Sequence, residues 1–161
     1  MQKYKMPNFI EADLGDNPLA NYLVVPVNEV FKGKIKVQGE EVDNNILYDA
    51  TPHTKLFIGR PNKESVLPRQ LINALSDKAQ RLFLWLIYEL DPGKDYLWIN
   101  QTRYMEEQGI KSINTYKDAV KELVKFKIIG LSVVKSVYWI NPVIFFRGSR
   151  IDKYPDKIYK R

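Results

Sequence analysis

Between residues 112 and 121 the chain reads Ser-Ile-Asn-Thr-Tyr-Lys-Asp-Ala-Val-Lys. Ser112, Asn114 and Thr115 are polar side chains able to hydrogen-bond base edges. Lys117 and Lys121 are cations able to hold phosphate or guanine. Tyr116, Ala119, Val120 and Leu123 recur at spacings of three and four, the pattern of one buried helical stripe. The polar set, with Asp118, then falls on the opposite face. This is the chemistry of recognition rather than of bond-making. Arg103 upstream, Lys135 downstream, and Arg147 and Arg150 further on are candidate phosphate contacts. For Arg147 and Arg150 a surface salt bridge with Asp152 or a nearby Glu is an equal alternative.

The charge distribution supports a polyanionic partner. The chain has 161 residues and a net charge of +6. Residues 101–161 hold 13 Lys and Arg against 6 Asp and Glu, whereas residues 1–66 hold 8 against 9. The basic excess therefore coincides with the candidate residues. A solvated surface without a partner is the bland alternative.

Other chemistries find little support. His53 is the sole histidine, and no nucleophile motif accompanies it; a turn histidine after Pro52 is expected. No phosphate-cradling Gly-Lys-Ser/Thr loop is present. Glu40, Glu41 and Asp43 are expected in a solvated loop rather than a metal site. The chain has no cysteine, which fits a reducing, cytoplasmic location. The first 18 residues lack an apolar signal-peptide core, and LFLWLIY is too short to cross a bilayer. A soluble protein without cofactor, metal or enzymatic activity is expected. Tyr96, Trp98, Tyr138 and Trp139 could stack on bases, but packing within a sheet is the default expectation. Lys153, Lys157, Lys160 and Arg161 make a basic tail.

The elements that must position these residues are legible in order. Residues 1–66 are expected to be irregular and then β-rich. Short runs at 21–27, 30–37, 44–50 and 54–59 are broken by Gly, Pro and Asn. Pro26 marks an edge strand, Gly33 and Gly39 mark bends, and residues 59–65 read as a loop. Pro68 opens a short helix. Ser76 caps the next, near 76–90, which is apolar almost all round and so central in a core. Residues 96–100 form a strand. Asn100 caps a helix over 100–108 that Gly109 ends. Ile110 and Lys111 turn the chain, and Ser112 caps a helix over 112–126. Residues 128–140 form a hairpin with a very short tip at Lys135-Ser136. Helix, strand, helix, tight turn, helix and hairpin is the order of a winged helix-turn-helix domain. The expected fold is therefore α+β, with this domain at 67–161.

The wing strand then runs into Tyr138, Trp139, Ile140, Asn141, Pro142, Phe145, Phe146, Gly148 and Arg150. In this succession residues 67–151 resemble the RepL family of plasmid replication initiators, with Ser149 where the family has an acidic residue. The residues read physically as well: Pro142 ends the strand, the phenylalanines anchor the returning chain, and Gly148 permits a turn. The resemblance implies sequence-specific binding to double-stranded origin DNA, recruitment of host replication proteins, and a plasmid or phage source. Two other uses of the module stand beside it. One is transcriptional regulation. The other is a phage structural or assembly protein, virion-associated, with the winged helix as a packing unit among phage structural proteins. A homodimer is a further expectation.

Overall fold

The apolar density of residues 82–90 places one helix at the centre of the molecule. The computed structural model describes residues 4–23, 25–27, 29–37, 40–48, 56–58 and 68–160. In chain order these form β1 (Val25–Val27), β2 (Glu29–Val37), β3 (Glu40–Tyr48), β4 (Leu56–Ile58), α1 (Pro68–Ala74) and α2 (Asp77–Glu89). There follow β5 (Tyr96–Trp98), α3 (Gln101–Gln108), α4 (Ile113–Lys125), β6 (Ile129–Leu131) and β7 (Val137–Ile140). The chain ends with β8 (Phe145–Arg147), α5 (Arg150–Lys153) and β9 (Ile158–Lys160). The α+β winged helix-turn-helix order is thus present.

Helix α2 begins where Ser76 accepts a hydrogen bond from the Ala79 N–H. Ala79, Leu82, Phe83 and Leu86 are buried against α4, α3 and the sheet. The expectation of burial all round is corrected. Leu84 is 58% exposed and Tyr88 84% exposed. They lie four residues apart, on the side away from the Ala79–Phe83–Leu86 stripe, where no element among the described residues packs closely enough to cover them.

The sheet has the strand order β5-β7-β6, all antiparallel. Strand alternation gives it two different faces. Leu97, Ile129 and Ile140 join the helical core, with Tyr138 packed against it. Tyr96, Val137 and Trp139 cluster on the other face with Leu14, flanked by Phe9, Leu19, Trp98 and Val134. Packing within the sheet, not base stacking, thus occupies Tyr96 and Trp139. Gly130 lets Leu19 approach: a Cβ there would lie 3.2 Å from Leu19 Cδ1.

The N-terminal residues are fastened by Asn17. Its buried amide donates to the Ile140 carbonyl at 2.8 Å, and its oxygen accepts from the Leu19 N–H. That cap, with Pro18 next, starts a 3-10 turn through Tyr22. Asn21 and Tyr22 are therefore not in the first strand, contrary to expectation. Among the described residues strand β1, which holds Pro26, pairs only with β9, in parallel, and β4 pairs with β8. The tail thus carries a strand, Ile158–Lys160.

Strands β2 and β3 form a long antiparallel ribbon. Two expectations fail there. Gly33 sits inside β2 opposite Asn44 rather than at a bend, and Glu40, Glu41 and Asp43 belong to β3 rather than to a loop. Continuous pairing through the register explains both. Gly39, His53 and the expected loop at 59–65 lie outside the described residues. Among the described residues no helix is long and apolar enough to cross a membrane.

Candidate nucleic-acid interface

Helix α3 starts at Asn100, whose side chain accepts from the Arg103 N–H at 2.8 Å. It ends at Gly109, in the left-handed region at φ 65°. There the Ile110 N–H reaches the Met105 carbonyl and the Gly109 N–H the Glu106 carbonyl. This pair of bonds is a Schellman closure. Helix α4 closes in the same way at its far end, through Ile128 N–H to Leu123 O and Lys127 N–H to Val124 O. Lys127 takes the left-handed position there, at φ 56°. Ser112 stands at the N-cap of α4, but its side chain makes no capping bond. Its carbonyl accepts from the Thr115 N–H instead.

Tyr116, Ala119, Val120 and Leu123 are buried, as the spacing requires. Asn114, Lys117, Lys121 and Lys125 are exposed on the opposite side. Lys117, Lys121 and Lys125 stand four residues apart, about 6 Å along the axis. Thr115 lies 100° from Asn114 around the helix, toward the flank, and is half-buried. Asn114 and Thr115 are thus less closely aligned than their adjacency implied.

Both carboxylates of α4 are turned toward α2. One Glu122 oxygen accepts from the Ser76 N–H at 3.0 Å and from the Ser76 hydroxyl at 2.7 Å. Asp118 pairs with Lys78 at 3.0 Å. Among the described residues, Lys111, Lys117, Lys121, Lys125, Lys127 and Lys135 face water without a carboxylate partner. The helix therefore presents unmatched positive charge outward while its negative charge is spent at its back. Lys125 was not singled out from sequence; its spacing from Lys121 was the available signal.

The helix is held from below by a chain of aromatic rings. Trp85 on α2 meets Tyr104 on α3 edge-on at 5.2 Å, and Tyr104 meets Tyr116 on α4 at 5.9 Å. Burial pushes the Tyr116 pKa well up, and the neighbouring Tyr138 of β7 adds to the rise. Helix α4 and the β6–β7 hairpin thus share one core.

Three of the candidate cations are engaged inside the fold. Arg103 makes a two-pronged bridge to Glu89 at 2.8 and 2.9 Å, bonds Glu107 at 2.7 Å, and stacks over Trp85. Two carboxylates already match its charge, and they raise its pKa. Arg147 donates to the Ile87 and Leu90 carbonyls, both at 3.0 Å, and so caps the C-terminus of α2. Arg150 is 4% exposed, and its guanidinium donates to the Pro142 carbonyl at 3.3 Å. None of the three stands as a lone surface cation. The surface bridge from Arg147 or Arg150 to Asp152 is not how the fold uses Arg147 either.

The wing corrects one more expectation. Strands β6 and β7 pair from Ile129↔Ile140 to Leu131↔Tyr138. The connection therefore spans residues 132–136 rather than closing tightly at Lys135-Ser136. The Ser132 hydroxyl organises it, 2.6 Å from the Val137 carbonyl and accepting from the Val134 N–H at 3.1 Å. Lys135 is exposed there, remote in sequence from α4 but on the hairpin that packs beside it.

The model of one family, described as Firmicute plasmid replication protein (RepL), matches residues 62–155. The match covers more than half of the chain. It concerns plasmid replication proteins, and a phage source or virion role finds no support in it. No match was found among curated proteins or solved structures.

Proposed function

Because the chain belongs to the RepL family of Firmicute plasmid replication proteins, we propose that it is a sequence-specific binder of duplex origin DNA that acts in initiation. The observation that carries this reading is the outward face of α4. Asn114, Lys117, Lys121 and Lys125 stand exposed there while Asp118 and Glu122 are held by α2. The helix enters the major groove by its N-terminal half. Asn114 reads a base edge, and Ser112 and Thr115 flank it. Lys117 and Lys121 hold phosphate or guanine, and Lys125 and Lys135 hold phosphate. Arg103, Arg147 and Arg150 support the domain instead. On this reading the protein acts by binding and by bringing replication proteins to the site, and it needs no catalytic group.

The test is a selection from random duplexes with the full chain at two salt concentrations. An enriched motif is expected. Lys121→Ala should weaken binding to all duplexes and lower the salt slope by about 1, the loss of one phosphate contact. Asn114→Ala should weaken only the selected site, by about 1–3 kcal/mol. No enrichment and a flat salt response would remove the proposal. A motif absent from the plasmid origin but present at promoters would shift it to transcriptional control.

A further inference from the structure

The wing holds two apolar side chains in water. Leu131 is 70% exposed and Val133 79% exposed. Their placement follows from the strands. Ile129 and Leu131 share one face of the sheet. Ile129 is buried in the helical core, and Tyr138, the register partner of Leu131, packs against that core. Leu131 therefore continues the α4 side of the sheet, one step past its last buried residue.

Val133 is carried by a built loop. The Ser132 hydroxyl and the Val137 N–H to Val134 carbonyl bond at 3.2 Å close the tip from within. Ser136 takes a left-handed φ of 65° to complete it. Val134 packs inward with the cluster of Leu14, Tyr96, Val137 and Trp139. Its neighbour Val133 is thereby directed outward.

The chain on either side of this apolar tip carries charge of one sign. Residues 123–151 contain five Lys and Arg and no Asp or Glu. Of these, Lys125, Lys127 and Lys135 are exposed. A protein partner could cover Leu131 and Val133, but unmatched cations with no carboxylate among them complement phosphate.

We infer that the wing tip is an apolar wedge for the minor groove of duplex DNA. Leu131 and Val133 enter a deformable base step and partly unstack it, while Lys135 holds an adjacent phosphate. Apolar side chains inserted between base steps kink the duplex, and pyrimidine–purine steps yield most easily. The inference rests on α4 as the major-groove element.

The experiment uses the full chain and two duplexes, one A·T-rich with TA steps and one from the selection above. Each carries 2-aminopurine at the step flanking the α4 site and a fluorophore pair at its ends. The parent protein should raise 2-aminopurine emission and shorten the end-to-end distance. A Leu131→Thr/Val133→Thr variant places a β-branched residue, compatible with extended backbone, at both positions and disturbs no buried side chain. It should bind about tenfold more weakly, the scale of two apolar side chains returned to water against the cost of unstacking. Its salt slope should be unchanged, the 2-aminopurine dark and the duplex straight. Lys135→Ala should lower the salt slope and leave the kink.

Binding by the parent without unstacking would overturn the wedge and leave the α4 reading intact. A double variant that binds and kinks DNA as the parent does would overturn it too, and would assign the apolar tip to a protein. Failure of the parent to bind either duplex would remove the α4 reading, and the wedge with it.

Discussion

Truncating Glu122 to alanine tests how α4 is held. Two carboxylates of α4 reach α2, and their settings differ. Glu122 is half-buried and accepts two hydrogen bonds, from the N–H and the hydroxyl of Ser76. Asp118 meets Lys78 with side chains 52% and 39% exposed. A hydrogen bond to a charged group contributes about 1.5–3 kcal/mol, and two that share one oxygen still partly open to water, each discounted for that exposure, contribute about 2–3 kcal/mol together. An exposed ion pair contributes about 0–1 kcal/mol. For a chain of this length 1 kcal/mol moves the melting temperature by about 2–4 °C. Glu122→Ala should therefore lower it by about 4–12 °C and Asp118→Ala by no more than about 4 °C. Differential scanning calorimetry and urea titration of both variants supply the comparison. The reasoning is refuted if Asp118→Ala costs more than Glu122→Ala, or if Glu122→Ala melts with the parent.

Other consequences follow from the same contacts. The Tyr104 hydroxyl is buried and has no hydrogen-bond partner among the described residues. Tyr104→Phe should raise stability by about 1 kcal/mol in urea titration; a loss of that size would show that the hydroxyl is bonded. Glu107 has its pKa lowered by the Trp85 N–H and then by Arg103. A lowered folded pKa contributes stability above the unfolded value of about 4.3, lost as pH falls through the folded pKa. The stability difference between the parent and Glu107→Gln should therefore shrink on acidification below about pH 4, and a pH-independent difference would exclude the linkage. The Tyr96 pKa is raised to about 12 by burial and by its bond to Glu11. Its raised folded value contributes stability that is complete below about pH 10. That stability is lost as pH rises through about 12. Tyr96→Phe should flatten the alkaline limb of the stability profile. Lys127 holds a left-handed φ of 56° at the end of α4. Lys127→Gly should raise the melting temperature, and an unchanged or lower value would place the strain elsewhere.

The helices were legible because their signals are local. Ser76, Asn100 and Gly109 act at helix ends as their chemistry dictates, and the Tyr116–Leu123 stripe is a matter of period alone. What failed depends on distant partners. Nothing near Leu84 or Tyr88 in the sequence tells that both are left exposed. Arg103 reads as a cation beside the recognition helix until Glu89, 14 residues away, takes two of its nitrogens. Arg147 likewise finds its carbonyls 57 and 60 residues back. The wing tip was misjudged because register decides its length. Pairing stops at Leu131↔Tyr138, and the Ser132 hydroxyl then satisfies a longer loop. The outward lysines of α4 were accessible to the helical period; their lack of acidic partners was not.

The residues that carry the family resemblance and the residues proposed to read DNA perform separate tasks. Trp139, Ile140, Phe145 and Phe146 are buried. Asn141 bonds the Lys127 carbonyl and the Val143 N–H, so it joins the end of α4 to the turn after β7. Gly148 takes a φ of 100°, and Arg150 lies inside the fold against Pro142. Each of these fixes where β7, the turn and the returning chain sit, and β7 packs Tyr138 against the core that α4 shares. Asn114, Lys117 and Lys121 contribute to none of that packing. A side chain that packs against nothing can change without disturbing the fold, whereas Asn141 or Arg150 cannot. On the reading proposed above, the outward face of α4 is thus free to suit one DNA sequence, while the stretch after the wing is constrained to build the support beneath it.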